Sequence, residues 1–488
     1  NVVSMANPYT SDVYRAVSVI NGTPGNDPAI IGGSSGEELY GFAGNDTLDG
    51  QAGNDSMFGG VGNDTYWVRQ AGDIVTEKLN EGTDIAYSYL SAYTLTSNVE
   101  NGRILANGTA NLTGNSVNNT LYAGLGNNVL TGGGGSDTVS YLYGVTGATG
   151  VTVSLVAGAQ ATVGSGSDTL SGIVNLTGSN NADHLTGSIL ANVLNGGAGI
   201  DILNGGLGND TYYLDSASDQ VIESTSAALL GGTDTVILGS AITSYTLGSN
   251  VDNGRITSTG AANLTGNSLN NVLYAGAGNN VITGGGGTDT LSYLYGVTGA
   301  MGVTVSLAAG GIQATVGSGL DTVSGIKNLI GSAYADRLTG NVLANALDGG
   351  IGADTLTGSD GSDIYYVRDA GDVVIETNAV AATGGTDLVY SYLGAYTLTT
   401  NVENAQIINS GSAKLTGNTG NNSLTGGSAN DTLEGGIGND TLNGGVGHDS
   451  MYGGAGDDVF LYNPAHDLLD RSARGAGFDL TRINQSTR

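Results

Sequence analysis

A nine-residue period constrains this chain more than any other feature. Gly41 to Asp49 reads Gly-Phe-Ala-Gly-Asn-Asp-Thr-Leu-Asp, and Gly50 to Phe58 and Gly59 to Trp67 repeat the pattern. The longest run is five consecutive nonapeptides from Gly417 to Leu461. Others cover Gly178 to Tyr213 and Gly331 to Tyr366, and weaker runs with Asn at some Asp positions cover Gly114 to Ser140 and Gly266 to Ser292. Each unit has two parts. Its first six residues carry Gly at one or more of positions one, two and four, and Asp at position six. Glycine permits the positive φ and close backbone approach of a tight turn. The last three residues alternate polar, apolar, polar, which is a very short strand with one inward side chain. Such a unit cannot bury a core alone, but it can when stacked on copies of itself.

The period therefore predicts an all-β chain, a parallel β-roll or β-solenoid. Two nonapeptides make one flattened turn with a strand on each side, and units two apart lie above one another. A longer period encloses the short one. Asn98-Val-Glu-Asn-Gly-Arg103 recurs from Asn250 and again from Asn401, a spacing of roughly 150 residues that suits a duplicated domain. The organisation read from these tandem long repeats is an N-terminal segment 1–21, a partial repeat 22–97, long repeats 98–249 and 250–400, a partial repeat 401–470 and a basic tail 471–488. Between the runs, Val151 to Leu155 and Val303 to Leu307 alternate as half-buried strands do. No long helical period is visible, and the 86 glycines argue against helix.

Stacking also decides the chemistry. Position-six acids of units two apart form columns along the edges, and like carboxylates one strand spacing apart, about 4.8 Å, repel. A hard divalent cation between them reverses the sign. Calcium takes six to eight oxygens from carboxylates and backbone carbonyls, and Gly-rich turns expose carbonyls. Zinc would call for Cys or His, and the chain has no Cys and 3 His. The candidate ligands are Asp46, Asp55 and Asp64; Asp183, Asp201 and Asp210; Asp336, Asp354 and Asp363; and Asp431, Asp440, Asp449 and Asp458. Stacking pairs Asp46 with Asp64, Asp183 with Asp201, Asp336 with Asp354, Asp431 with Asp449 and Asp440 with Asp458. Asn119, Asn128, Asn192, Asn271, Asn280, Asn345 and Asn422 stand where Asp is expected. These turns are read as weak or metal-free, held by ladders of side-chain amides. Asp73, Asp219, Asp372 and Asp467 continue the register beyond the good runs and are candidates to close each last site.

These residues resemble the RTX (repeats-in-toxin) family, whose motif Gly-Gly-x-Gly-x-Asp-x-apolar-x forms a calcium-binding parallel β-roll. Gly435-Gly-Ile-Gly-Asn-Asp-Thr-Leu-Asn443 fits at every fixed position, as does Gly205 to Tyr213 if Tyr counts as apolar. The resemblance implies export by type I secretion, with an uncleaved signal near the C-terminus. The tail with Arg471, Arg474, Arg482 and Arg488 stands in the right place.

The formal net charge of −31 repels nucleic acid and anionic membrane surfaces and attracts cations. No apolar run reaches membrane-spanning length. Gly32-Gly-Ser-Ser-Gly36 matches a hydrolase elbow formally, but it lies in register with the nonapeptides and lacks the strand–helix context. His184, His448 and His466 read as exposed variable positions. Tyr pairs such as Tyr87/Tyr89, Tyr293/Tyr295 and Tyr390/Tyr392 suggest cross-turn stacking, or a platform for polysaccharide. The expectation is a secreted, non-enzymatic structural protein of the cell exterior, a filament or surface-layer component that folds on calcium and self-associates. The alternatives are a secretion and folding module of a larger toxin or hydrolase, and a polysaccharide-binding adhesin.

Overall fold

Position eight of the nonapeptides becomes the inward residue of a short strand, as in Thr47–Asp49 and Ser56–Val61, and the turn before it reverses the chain toward the opposite face. In the computed structural model, residues 17–156, 159–162, 165–223, 231–378, 384–462, 466–470 and 480–483 are described. They form strands and turns, with no helix among them, and the architecture is a parallel β-solenoid. The N-terminal residues 1–16 and, in the basic tail, Arg471, Arg474 and Arg488 lie outside the described residues.

The chain divides into two units, residues 1–234 and 235–488. In the first, one face is a parallel ladder in which Ile30, Leu48, Tyr66, Ala86, Gly102, Leu121, Val139, Leu176, Leu194 and Tyr212 stand in register. Leu48 and Tyr66 are eighteen residues apart, so one rung is two nonapeptides, as the period requires. The opposite face consists of three shorter parallel stacks. Leu39, Met57 and Val75 align in one, Tyr93, Leu112, Leu130 and Leu170 in the next, and Val153, Leu185, Leu203 and Val221 in the third. Nearly all of these side chains are buried, and together they make a narrow apolar column. The second unit repeats the plan, with Leu424, Leu442 and Phe460 stacked on one face and Leu415, Leu433 and Met451 on the other.

Within each unit the coil is not broken between its runs. Rungs continue through the Asn-rich stretches, and the alternating segments supply strands of their own: Thr152–Ser154 pairs with His184–Ser188, and Thr304–Ser306 with Arg337–Thr339. One feature departs from the periodic expectation. Val139 and Leu176 are neighbours in the ladder although 37 residues separate them. The excess chain forms an antiparallel hairpin, Ala159–Thr162 against Gly166–Ser171, and the second unit has the same device in Gly311–Thr315 against Gly319–Ser324. A hairpin absorbs inserted residues at a sheet edge without changing the register of the rungs on either side.

Candidate metal centre

The turn glycines place the acids. At Gly438 and Gly456, both at position four, φ is 132° and 145°, a region only glycine enters without strain. This bend carries the next two residues back toward the column, so the position-six side chain points inward. All thirteen predicted Asp are buried. Each predicted stacking pair is present, and the link between rungs is a hydrogen bond. The backbone N–H of one acid donates to Oδ1 of the acid one rung on: Asp46 to Asp64 at 2.7 Å, Asp183 to Asp201 at 2.8 Å, Asp336 to Asp354 at 2.8 Å, Asp431 to Asp449 at 2.8 Å and Asp440 to Asp458 at 2.9 Å. One carboxylate oxygen is thereby used as a structural acceptor.

The second oxygen separates the acids into two groups. For Asp46, Asp55, Asp64, Asp201, Asp210, Asp354, Asp363, Asp440 and Asp449, Oδ2 is buried with no hydrogen-bond partner. Such a group is costly unless something positive meets it. For Asp183, Asp336 and Asp431, Oδ2 is already engaged: Ser179, Ser332 and Gly427 respectively donate their backbone N–H, and the Ser hydroxyls add a second bond at the first two. These three are the first position-six Asp of their runs, and at two of them Ser replaces the second glycine.

Burial raises the free acids. Asp55, Asp64, Asp210, Asp354, Asp363, Asp440 and Asp449 are pushed up to about 6 and Asp201 to about 7, with neighbouring carboxylates adding to the effect at Asp64 and Asp201. In the ordinary turns after Gly41 and Gly435 the orphan oxygen faces a backbone carbonyl. A side chain at Gly41 would place its first carbon 2.5 Å from both Asp46 Oδ2 and the Gly59 carbonyl oxygen, and Gly435 stands in the same relation to Asp440 and the Gly453 carbonyl. Position-one glycine thus leaves a small space lined by carboxylate and carbonyl oxygen. This is an all-oxygen donor set with negative charge, and it fits calcium.

The Asn turns differ from the amide ladders expected. Each Asn bonds to the main chain. Asn119, Asn192, Asn345 and Asn422 accept a turn N–H at Oδ1 and donate Nδ2 to the carbonyls of Val99, Val174, Lys327 and Val402, at 2.9, 2.7, 2.7 and 3.1 Å. Asn271 does the same toward Val251. The amide supplies the positive end that a cation would otherwise bring. Asp73 and Asp372 end their columns as turn caps, each Oδ2 accepting two backbone N–H groups.

Sequence reasoning passed over several acids. Asp137 and Asp289 are buried with orphan Oδ2 atoms, although Gly132-Gly-Gly-Gly-Ser-Asp137 carries every fixed residue of the motif. Asp27 and Glu37 extend the first columns, donating their N–H to Asp46 and Asp55. Glu77, Glu223 and Glu376 were also passed over, with Asp84, Asp234 and Asp387; each Glu occupies position one, where glycine is the rule. Of the histidines, His448 and His466 meet edge-on with ring centroids 4.7 Å apart, both exposed. The outward tyrosines stack across rungs, but Tyr293 is fully buried and donates to Asp321, so only Tyr295 of that pair faces out.

Comparison with known families agrees with this geometry. The family model of the RTX calcium-binding nonapeptide repeat (four copies) matches residues 31–66, 108–141, 186–221, 259–293 and 339–374, and, in overlapping matches, 408–442, 425–460 and 434–469. A comparison with curated proteins gives no match. Eighteen-residue rungs of two nonapeptides, buried acid columns and repeated family matches agree: the chain belongs to the proteins built from RTX calcium-binding nonapeptide repeats.

Proposed function

We propose that the chain is a secreted, non-enzymatic structural protein that folds on calcium and assembles with its own kind into a filament or layer. One observation carries the calcium part of this reading: nine predicted Asp each bury a partnerless Oδ2 atom within the edge columns. Ligands that repel one another in the free chain turn metal-binding free energy into folding free energy. RTX repeat proteins are typically exported by type I secretion, and the fold suits that route: a chain that stays open where free calcium is scarce closes where it is abundant.

Support for self-association comes from the ends of the coil. Among the described residues, Ser18–Asn21 pairs only with Glu37–Ala43, and Leu480–Ile483 only with Val459–Tyr462. Among the described residues neither strand has a partner on its other edge, and a repeated rung is a template for head-to-tail addition. Sedimentation velocity in millimolar calcium tests this. The expected result is a concentration-dependent series of assemblies that chelator dissolves; a single monomer boundary across the concentration range would contradict it.

An adhesive reading has its own support in the outward aromatic row. Trp67 lies 5.2 Å from Tyr87 and 6.0 Å from Tyr89, with the Arg69 guanidinium over both Trp67 and Tyr89. Retention on a polysaccharide column that W67A abolishes is the result this reading requires.

A further inference from the structure

Three times in the chain, a Glu takes the place of a position-one glycine one nonapeptide beyond a good run. At each place two Asp and a tyrosine close on it. Carboxylate oxygens of Asp64, Glu77 and Asp84 lie within 4.8 Å of one another, and so do those of Asp210, Glu223 and Asp234 and those of Asp363, Glu376 and Asp387. All nine side chains are buried. Oxygens that share one calcium at about 2.3–2.6 Å lie no more than about 5 Å apart, so each set is the right size for a single ion.

The triads differ from the ordinary turns in what fills the space beside the position-one glycine. Beside Gly41 the next rung contributes a backbone carbonyl. Beside Gly59 and Gly358 it contributes Glu77 Oε1 and Glu376 Oε1, and the Tyr66 and Tyr365 hydroxyls enter the same space. The hydroxyls of Tyr66, Tyr212 and Tyr365 donate to Glu77, Glu223 and Glu376. The glutamates are held from behind as well. Asn98, with φ at 64°, donates to the Glu77 carbonyl at 3.0 Å, and Asn401, with φ at 67°, to that of Glu376 at 3.2 Å.

Glu77 is 6% exposed and Glu376 is 7% exposed, yet Oε2 of each has no partner, and neither has Oδ2 of Asp64 or Asp363. Three buried carboxylates, two of them with an unused oxygen in the Glu77 and Glu376 sets, are closed off from water and call for positive charge. The chain also contains its own control. The last run has Phe460 where the others have Tyr66, Tyr212 and Tyr365, and eleven residues further on it has Arg471 where the others have Glu77, Glu223 and Glu376. Hydroxyl and carboxylate are present together or absent together, as two parts of one site would be.

We infer that each Tyr–Glu–Asp–Asp set is a calcium site of a second kind, formed by three carboxylates and a tyrosine hydroxyl, which closes the column at the end of a run. The inference rests on the calcium reading of the turns and adds three ions that the nonapeptide pattern does not count.

Equilibrium dialysis of the refolded full chain against radioactive calcium gives the test. The variant E77Q/E223Q/E376Q keeps size and hydrogen bonding but removes one charge per set. The expected result is three fewer bound ions per chain, with the remaining sites filled. An unchanged stoichiometry in the variant overturns the inference and leaves the turn sites standing, because a glutamate serving only as a neutral plug is replaced by Gln without loss. A wild-type chain that binds no calcium overturns both readings. If the triple variant does not refold, E376Q alone should lose one ion, beside D440N as a control that alters a turn site and leaves every triad intact; E376Q at wild-type stoichiometry is again contradictory.

Discussion

At position six, one carboxylate performs two tasks with two oxygens. Oδ1 of Asp440 accepts the Asn422 N–H at 2.7 Å and holds two rungs in register, while Oδ2 is left for a cation. Asn422 shows what a metal-free turn looks like, since its amide reaches a carbonyl instead. D440N should therefore convert one kind of turn into the other. With chelator present it is expected to stabilise the fold by about 1 kcal/mol, by removing a buried repulsive charge, and to reduce the increment that calcium adds. Urea midpoints with and without calcium measure both effects. The acids also set a pH dependence. Their folded-state values are raised, to about 6 at Asp64 and Asp363 and about 7 at Asp84, Asp201 and Asp387, mainly by burial. A carboxyl raised on folding contributes stability that is fully present below its unfolded value near 4 and is lost as pH rises through the folded value. The chelated chain should therefore lose stability between about pH 4 and pH 7, whereas with calcium, which competes with protons for the same oxygens, stability should rise over that window. Thermal melts at a series of pH values would distinguish the two.

At the scale of the turn and strand, the nine-residue pattern was enough to place the inward residue, the eighteen-residue rung and the acid columns. Leu442 between Leu424 and Phe460 is an example. What it did not reveal has a common cause: the rung is a shape, and several sequences adopt it. The hairpins at 159–171 and 311–324 interrupt the period in sequence while leaving the ladder continuous in space. Glu77 is not legible in the nonapeptide pattern because glycine is the rule at position one, and a turn two residues longer there, from Glu77 to Asp84, makes room for a side chain. Where the turn is tight there is no such room. At Gly438 a first side-chain carbon would meet the Gly420 carbonyl, and φ is already unfavourable. G438A is expected to cost about 1–3 kcal/mol both with and without calcium. That calcium-independent loss distinguishes a backbone lesion from a ligand lesion, and the same urea titrations would show it.

For the whole chain, the balance is between a thin apolar column and a large charge. Each nonapeptide buries roughly one apolar side chain, and 44 acids oppose 13 bases. Such a chain has little margin against its own repulsion until cations are bound. The Asn turns need no metal and are distributed through both units, so some order is expected to nucleate there, with calcium completing the Asp columns outward. This joins the residue-level finding to the function proposed: a chain that is open before export and closes outside. The most direct measurement is far-UV circular dichroism of the full chain during a calcium titration, with magnesium as control. The account predicts a cooperative gain of β signal with calcium alone, reversed by chelator. A full β signal in chelator, unchanged by added calcium, would contradict it.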